Sequence, residues 1–113
     1  MRDFRDRGYS AQDTIARWEA VRAGEKKNIS PYQNLADIFI NTSLVYEVSA
    51  LKELADLALR MVPFGVPEYI EAKRLLSFLD WVKPLDRKLV TANSILSEFI
   101  GGSNLKDFIS WCA

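Results

Sequence analysis

The spacing of apolar and polar residues predicts a mainly helical chain. Residues 11–23 carry a narrow apolar stripe that follows Ser10, a favoured N-cap residue, and precedes Gly24, a natural C-cap. The strongest pattern covers residues 44–62, where apolar side chains recur every three or four positions. Similar spacing predicts three further helical segments, over residues 68–83, 86–100 and 104–111.

One segment breaks the helical pattern. Ile38, Phe39 and Ile40 are adjacent, β-branched or aromatic, and bounded by turn-forming residues. Such a run is typical of a strand buried on both faces in a parallel sheet, although a segment of core helix is the alternative. A lone strand would leave its backbone N–H and C=O groups unpaired, so its partner strands should lie outside this chain. The predicted fold class is therefore mainly α, with four to five helices and one short strand at 36–41.

Composition narrows the classes of function. The 113 residues are 49% hydrophobic and 27% charged, which predicts a chain that folds. The sequence has no histidine, which excludes histidine-based acid–base catalysis and removes the commonest zinc ligand. No catalytic residue and no metal site is predicted.

Charge and cysteine usage bear on partners and location. Lys+Arg and Asp+Glu both total 15, so the chain lacks the basic excess of a nucleic-acid-binding protein and has little charge repulsion against forming a homo-oligomer. No apolar run approaches the roughly 18 residues that cross a bilayer, so no membrane partner is predicted. Cys112 is the single cysteine and cannot form an internal disulfide, which favours a cytoplasmic location.

The segment RDFRDRG, residues 2–8, concentrates charge at the start of the sequence. Its arginines are Arg2, Arg5 and Arg7. Guanidinium groups bind phosphate oxygens in pairs and remain charged, so these residues are candidates for phosphate contacts. The alternative is a solvated end whose arginines pair with Asp3 and Asp6 along a helix. The sequence contains no GxxxxGK[ST] loop that would hold nucleotide phosphates.

The order of these segments resembles a known family. RDFRDRG is followed by a predicted helix, then by SPYQNLADIFIN (30–41) and a long helix, as in the C-terminal part of a uridine kinase. More closely, SAQDTIARWEAVRAGEKKNISPYQNLADIFINTSLVYE (10–47) and NSILSEFIGGS (93–103) resemble the bacterial uridine kinase-like proteins. The resemblance covers nearly the whole chain, but none of its segments is a universal catalytic motif.

This resemblance implies a P-loop nucleoside kinase in which residues 36–41 are the last strand of a parallel sheet. Residues 1–65 would be the lid, last strand and long helix of the kinase-like domain, and residues 66–113 a small helical cap. Such kinases transfer the γ-phosphate of ATP to a nucleoside 5′-hydroxyl with Mg²⁺. Tyr9 departs from the family, because uridine kinases often have another arginine there.

The resemblance also assigns candidate roles. The residues implied for the phosphate lid are Arg2, Arg5 and Arg7, and those implied near the adenine are Asn41, Thr42 and Ser43. ATP and Mg²⁺ are implied for the full-length parent and no cofactor for this chain. Without the P-loop the chain should be inactive alone, as a fragment whose partner is the missing N-terminal half of the kinase. The alternative is a stand-alone helical dimerisation or protein-interaction module.

Overall fold

The computed structural model describes residues 8–104, and this part of the chain is mainly helical, as predicted. The four α-helices of this region are α1 (Ala11–Asn28), α2 (Glu47–Arg60), α3 (Glu68–Asp80) and α4 (Ile95–Ile100). Two 3₁₀ segments connect them, Ser30–Leu35 after α1 and Arg87–Leu89 before α4.

Helix α1 starts where the sequence predicts and ends later. The Ser10 hydroxyl accepts from the Asp13 N–H at 3.1 Å, and the Asp13 carboxylate accepts from the Ser10 N–H at 3.0 Å, which forms a capping box. The prediction that Gly24 ends the helix is wrong, because the helix continues to Asn28. Glu25, Lys26 and Lys27 are good helix formers that offset the cost of an internal glycine, about 1 kcal/mol.

The core lies between α2, α3 and α4. Few apolar residues of the described region are buried, and half of them are alanines. The buried apolar residues are Ala50, Ala58, Val62, Ala72, Leu79 and Leu96. Of the described residues, Leu96 in α4 has the largest fully buried side chain. Within residues 8–104 the core is therefore modest, and many large apolar residues remain exposed.

Polar contacts fix the chain after α3 against α2. The Lys52 ammonium donates to the Val82 carbonyl at 2.5 Å, and the Leu85 N–H donates to the Ser49 carbonyl at 3.0 Å. Helix α3 contacts both α1 and α2, so packing crosses the boundary predicted at residue 65. The division into 1–65 and 66–113 stays a prediction.

The strand predicted at 36–41 is wrong for the structure of this chain. Residues 36–41 have no regular secondary structure, and no strand occurs between residues 8 and 104. A strand needs a neighbouring strand to pair its backbone N–H and C=O groups, and residues 8–104 offer none. These residues therefore do not form a strand.

Three predicted helices are also shorter than their apolar patterns, and α3 ends at Asp80 instead of residue 83. Helix α2 begins at Glu47, and its N-cap residue Tyr46 makes no side-chain capping bond, so Asn41, Thr42 and Ser43 do not cap it. Of the segment predicted at 86–100, only the end is α-helical, because Ser94 caps α4 there by accepting from the Leu96 N–H. The last predicted segment, 104–111, lies outside the described residues except for Asn104.

Candidate functional site: an exposed apolar segment

The most unusual feature of the described region is a run of exposed apolar side chains between α1 and α2. We call residues 35–46 the exposed segment. Ile38, Phe39 and Ile40 retain 77%, 74% and 80% of their accessible surface, and Val45 is fully exposed. Single exposed apolar residues are ordinary, but a contiguous run of this kind marks an interaction surface.

The middle of the same segment also has backbone groups without a partner among the described residues. Among the described residues, no backbone hydrogen bond involves residues 37–42. Peptide groups that lack protein partners are available to pair with the edge of a sheet, as in strand addition. The segment thus offers both apolar side chains and free backbone groups to a partner.

Local structure holds both ends of the exposed segment. At its start, the Ala36 N–H donates to the Gln33 carbonyl at 3.1 Å, and Ala36 then turns the chain into an extended conformation. Towards its end, the Asn41 side-chain oxygen accepts from the Ser43 N–H at 3.0 Å, an Asx turn that redirects the chain towards α2. The apolar residues 38–40 are therefore presented between two fixed points.

The structure describes only some of the candidate site residues that the sequence predicts. Arg2, Arg5 and Arg7 lie outside the described residues. Asn41, Thr42 and Ser43 lie together in one exposed turn, and their proximity to adenine stays a prediction. Tyr9, which stands where the family often has an arginine, stacks under the guanidinium of Arg17, with 4.1 Å from that group to the ring centre.

Three carboxylates have a lowered pKa, and a local hydrogen bond explains each of them. Hydrogen bonds from Ser10 lower the pKa of Asp13. The hydrogen-bonded guanidinium of Arg60 lowers the pKa of Asp56, and that of Arg74 lowers the pKa of Glu71. These groups are ionised at neutral pH and make local helix contacts, so none has the raised pKa of a general acid. Within residues 8–104 no cluster of metal-ligating side chains occurs.

The structure also reveals a groove that the sequence did not predict. A narrow, mostly apolar cavity of about 290 Å³ lies between α1, α2 and α3, and a wider cavity of about 960 Å³ lies between α1 and α3. Thr14, Ile15 and Leu75 line both, so the two cavities are adjacent, and we call them together the groove. The sequence signal was the four-residue spacing of Thr14, Trp18, Arg22 and Lys26 on α1.

Comparisons with protein-family models, with curated proteins and with solved structures found no match for this chain. Among the described residues, no helix combines the length and apolar character needed to cross a membrane.

Proposed function

We propose that this chain is the C-terminal part of a uridine kinase-like protein and contributes the lid, the last strand and the helical cap to a parent nucleoside kinase. The parent would transfer the γ-phosphate of ATP to a nucleoside 5′-hydroxyl in the cytoplasm. The exposed segment is the observation that supports this proposal best.

The exposed segment supports the proposal because it lacks the neighbouring strand and the apolar cover that a parent sheet would supply. In this proposal residues 36–41 correspond to the last strand of a uridine kinase, yet here they leave Ile38, Phe39 and Ile40 in solvent with unpaired backbone nearby. A neighbouring parallel strand would pair residues 37–42, and the helices on both faces of the parent sheet would bury these side chains. A segment evolved as a loop would have no physical reason to carry three consecutive large apolar residues.

In this proposal the chain supplies no phosphate-binding loop and no metal ligand. ATP and Mg²⁺ would bind to the missing N-terminal half, which is the proposed partner. Arg2, Arg5 and Arg7 would approach the phosphates when the lid closes, where fixed positive charge stabilises the charge that develops on the transferred phosphoryl group. The turn at 41–43 would lie beside the adenine.

The decisive experiment is the intact mass of the native polypeptide in its source cells, measured by top-down mass spectrometry. The proposal expects a mass several times the 12.9 kDa of this chain, with a P-loop in the additional sequence. A native mass near 12.9 kDa would refute it. In a longer parent, changing Arg2 and Arg7 to alanine should reduce nucleoside phosphorylation, and unchanged turnover would refute the lid assignment.

A second candidate function is a stand-alone helical module that binds a second copy of itself. The same exposed segment favours it, because two copies could pair residues 36–42 and bury both apolar runs. The small core and the zero formal charge also favour self-association. A native mass near 12.9 kDa together with a dimer in solution would support this module and exclude the kinase part.

A further inference from the structure

The groove formed by the two adjacent cavities beside α1 and α3 is separate from the exposed segment and is not used by the proposed kinase function. At its narrow end the floor is apolar, with Ile15, Ala55, Ala58 and Leu79 among the lining residues. The Gln12 amide donates to the Glu68 carboxylate at 3.2 Å and joins the first turn of α1 to the first turn of α3. At its wide end the groove lies between residues 14–26 of α1 and Glu71, Arg74 and Leu75 of α3.

Helix α1 is incompletely packed along this groove. It has 18 residues, and none of them is buried. Helices gain most of their stability in proteins from packing an apolar face, and Trp18 on the groove wall remains 58% exposed. From Ala11 to Lys26 the groove extends about 22 Å, the length of about four turns of a partner helix. A third helix laid in the groove would cover α1 and fill both cavities.

Charge along the groove indicates which kind of helix fits. On α3, Arg74 is held by Glu71 in two hydrogen bonds of 2.7 and 2.6 Å, so this pair is internally neutral. On α1, Arg22 and Lys26 line the wide end, and Glu19 offsets one of their charges. None of the residues that line the narrow end is charged. The groove therefore combines an apolar half with a half of net positive charge.

We propose that this groove binds an amphipathic helix of a separate protein, with its apolar face in the narrow end and acidic residues beside Arg22 and Lys26. This is helix-in-groove recognition, with Trp18 as an aromatic contact at the rim. The apolar face supplies most of the affinity, and the acidic residues select the partner and its direction in the groove. The inference does not depend on the kinase proposal.

The test uses the full 113-residue chain and three labelled helical peptides of about 15 residues. Two of them share an apolar face of leucine and alanine, and one of these ends in glutamates and the other in lysines. The third has the composition of the glutamate-ended peptide in scrambled order, without an apolar face. Fluorescence anisotropy measures the dissociation constants. The glutamate-ended peptide should bind, and the other two should bind at least about tenfold more weakly.

Charge reversal on the protein gives the sharpest result. The double variant Arg22→Glu/Lys26→Glu should weaken the glutamate-ended peptide about tenfold and tighten the lysine-ended peptide, an exchange that a general loss of structure cannot produce. Thr14→Trp should block both peptides, because Thr14 lines both cavities. The matched control is Ala16→Trp, which adds the same bulk to an exposed position of α1 outside the groove and should leave binding unchanged.

Three results would overturn the proposal. One is the absence of saturable binding of any of the peptides up to about 1 mM. Another is equal binding of the glutamate-ended and lysine-ended peptides. The third is saturable binding of dodecanoate in place of the peptides, lost in Thr14→Trp, which would make the groove a site for a small amphiphile.

Discussion

Replacing Ile38, Phe39 and Ile40 with serine tests whether the exposed segment is a contact surface or part of the fold. Burying a fully exposed side chain of this size contributes about 1.5 to 3 kcal/mol. These three side chains keep roughly three quarters of their surface exposed, so a partner that buried them would gain about 3.5 to 7 kcal/mol from one copy. A symmetric pair of copies would gain up to about twice that, close to the roughly 4 to 15 kcal/mol that association costs.

The wild-type chain should therefore form a weak dimer, and the triple serine variant should be monomeric at the same concentration. Sedimentation velocity at several protein concentrations measures this difference. Circular dichroism should show the same helix content in both proteins, because the three residues lie outside every helix of the described region. Their thermal midpoints should agree once the wild type is diluted below its dissociation constant.

A matched control separates the exposed segment from general surface hydrophobicity. Leu57, Ile70 and Trp81 keep 64%, 78% and 90% of their surface and lie elsewhere. Changing these three to serine should leave the dimer intact. The reasoning would be refuted if the control abolished association as fully as the triple variant does, or if the triple variant lost helix content, which would mean that residues 38–40 pack in the core.

Three further predictions concern the fold. Leu96→Ala should lower the free energy of unfolding by about 3 kcal/mol in urea titrations, because Leu96 is the largest fully buried side chain of the described region. The control Leu89→Ala, at an exposed position, should lower it by less than about 0.5 kcal/mol. Equal losses in the two variants would refute the assignment of Leu96 to the core. Ser10→Ala should cost about 1 kcal/mol and increase amide exchange in the first turn of α1, and unaltered exchange would contradict the capping box. Arg74 lowers the pKa of Glu71 in the folded state. The stability from this pair is therefore present above the unfolded pKa of Glu71 and is lost as pH falls through the lower folded pKa. Between about pH 5 and pH 3 the wild type should lose slightly more stability than Glu71→Gln, and identical pH profiles would contradict the pairing.

Sequence reasoning was most successful where local chemistry determines structure. The start of α1 was predicted from Ser10, and the structure shows the capping box there. The apolar repeat predicted over residues 44–62 contains α2. A cap or a short apolar repeat depends on residues close in sequence, so these features can be found without knowing which elements meet.

The candidate site was predicted only in part. The adjacent apolar residues Ile38, Phe39 and Ile40 singled out this segment, and the structure leaves them exposed, while partners outside the chain stay a prediction. The same residues were assigned to a strand, and the structure shows none, because strand geometry depends on hydrogen bonds to a neighbour rather than on side-chain type. The groove was missed because its walls come from three helices that are distant in sequence.

The sequence by itself thus determined the helical class, the start of α1 and the apolar character of residues 38–40, since these depend on residue type and short spacing. Only the tertiary structure decided which apolar residues are buried and that a groove with one apolar and one basic half lies beside α1 and α3. The physical reason is that burial and cavity shape depend on contacts between segments that are distant in sequence.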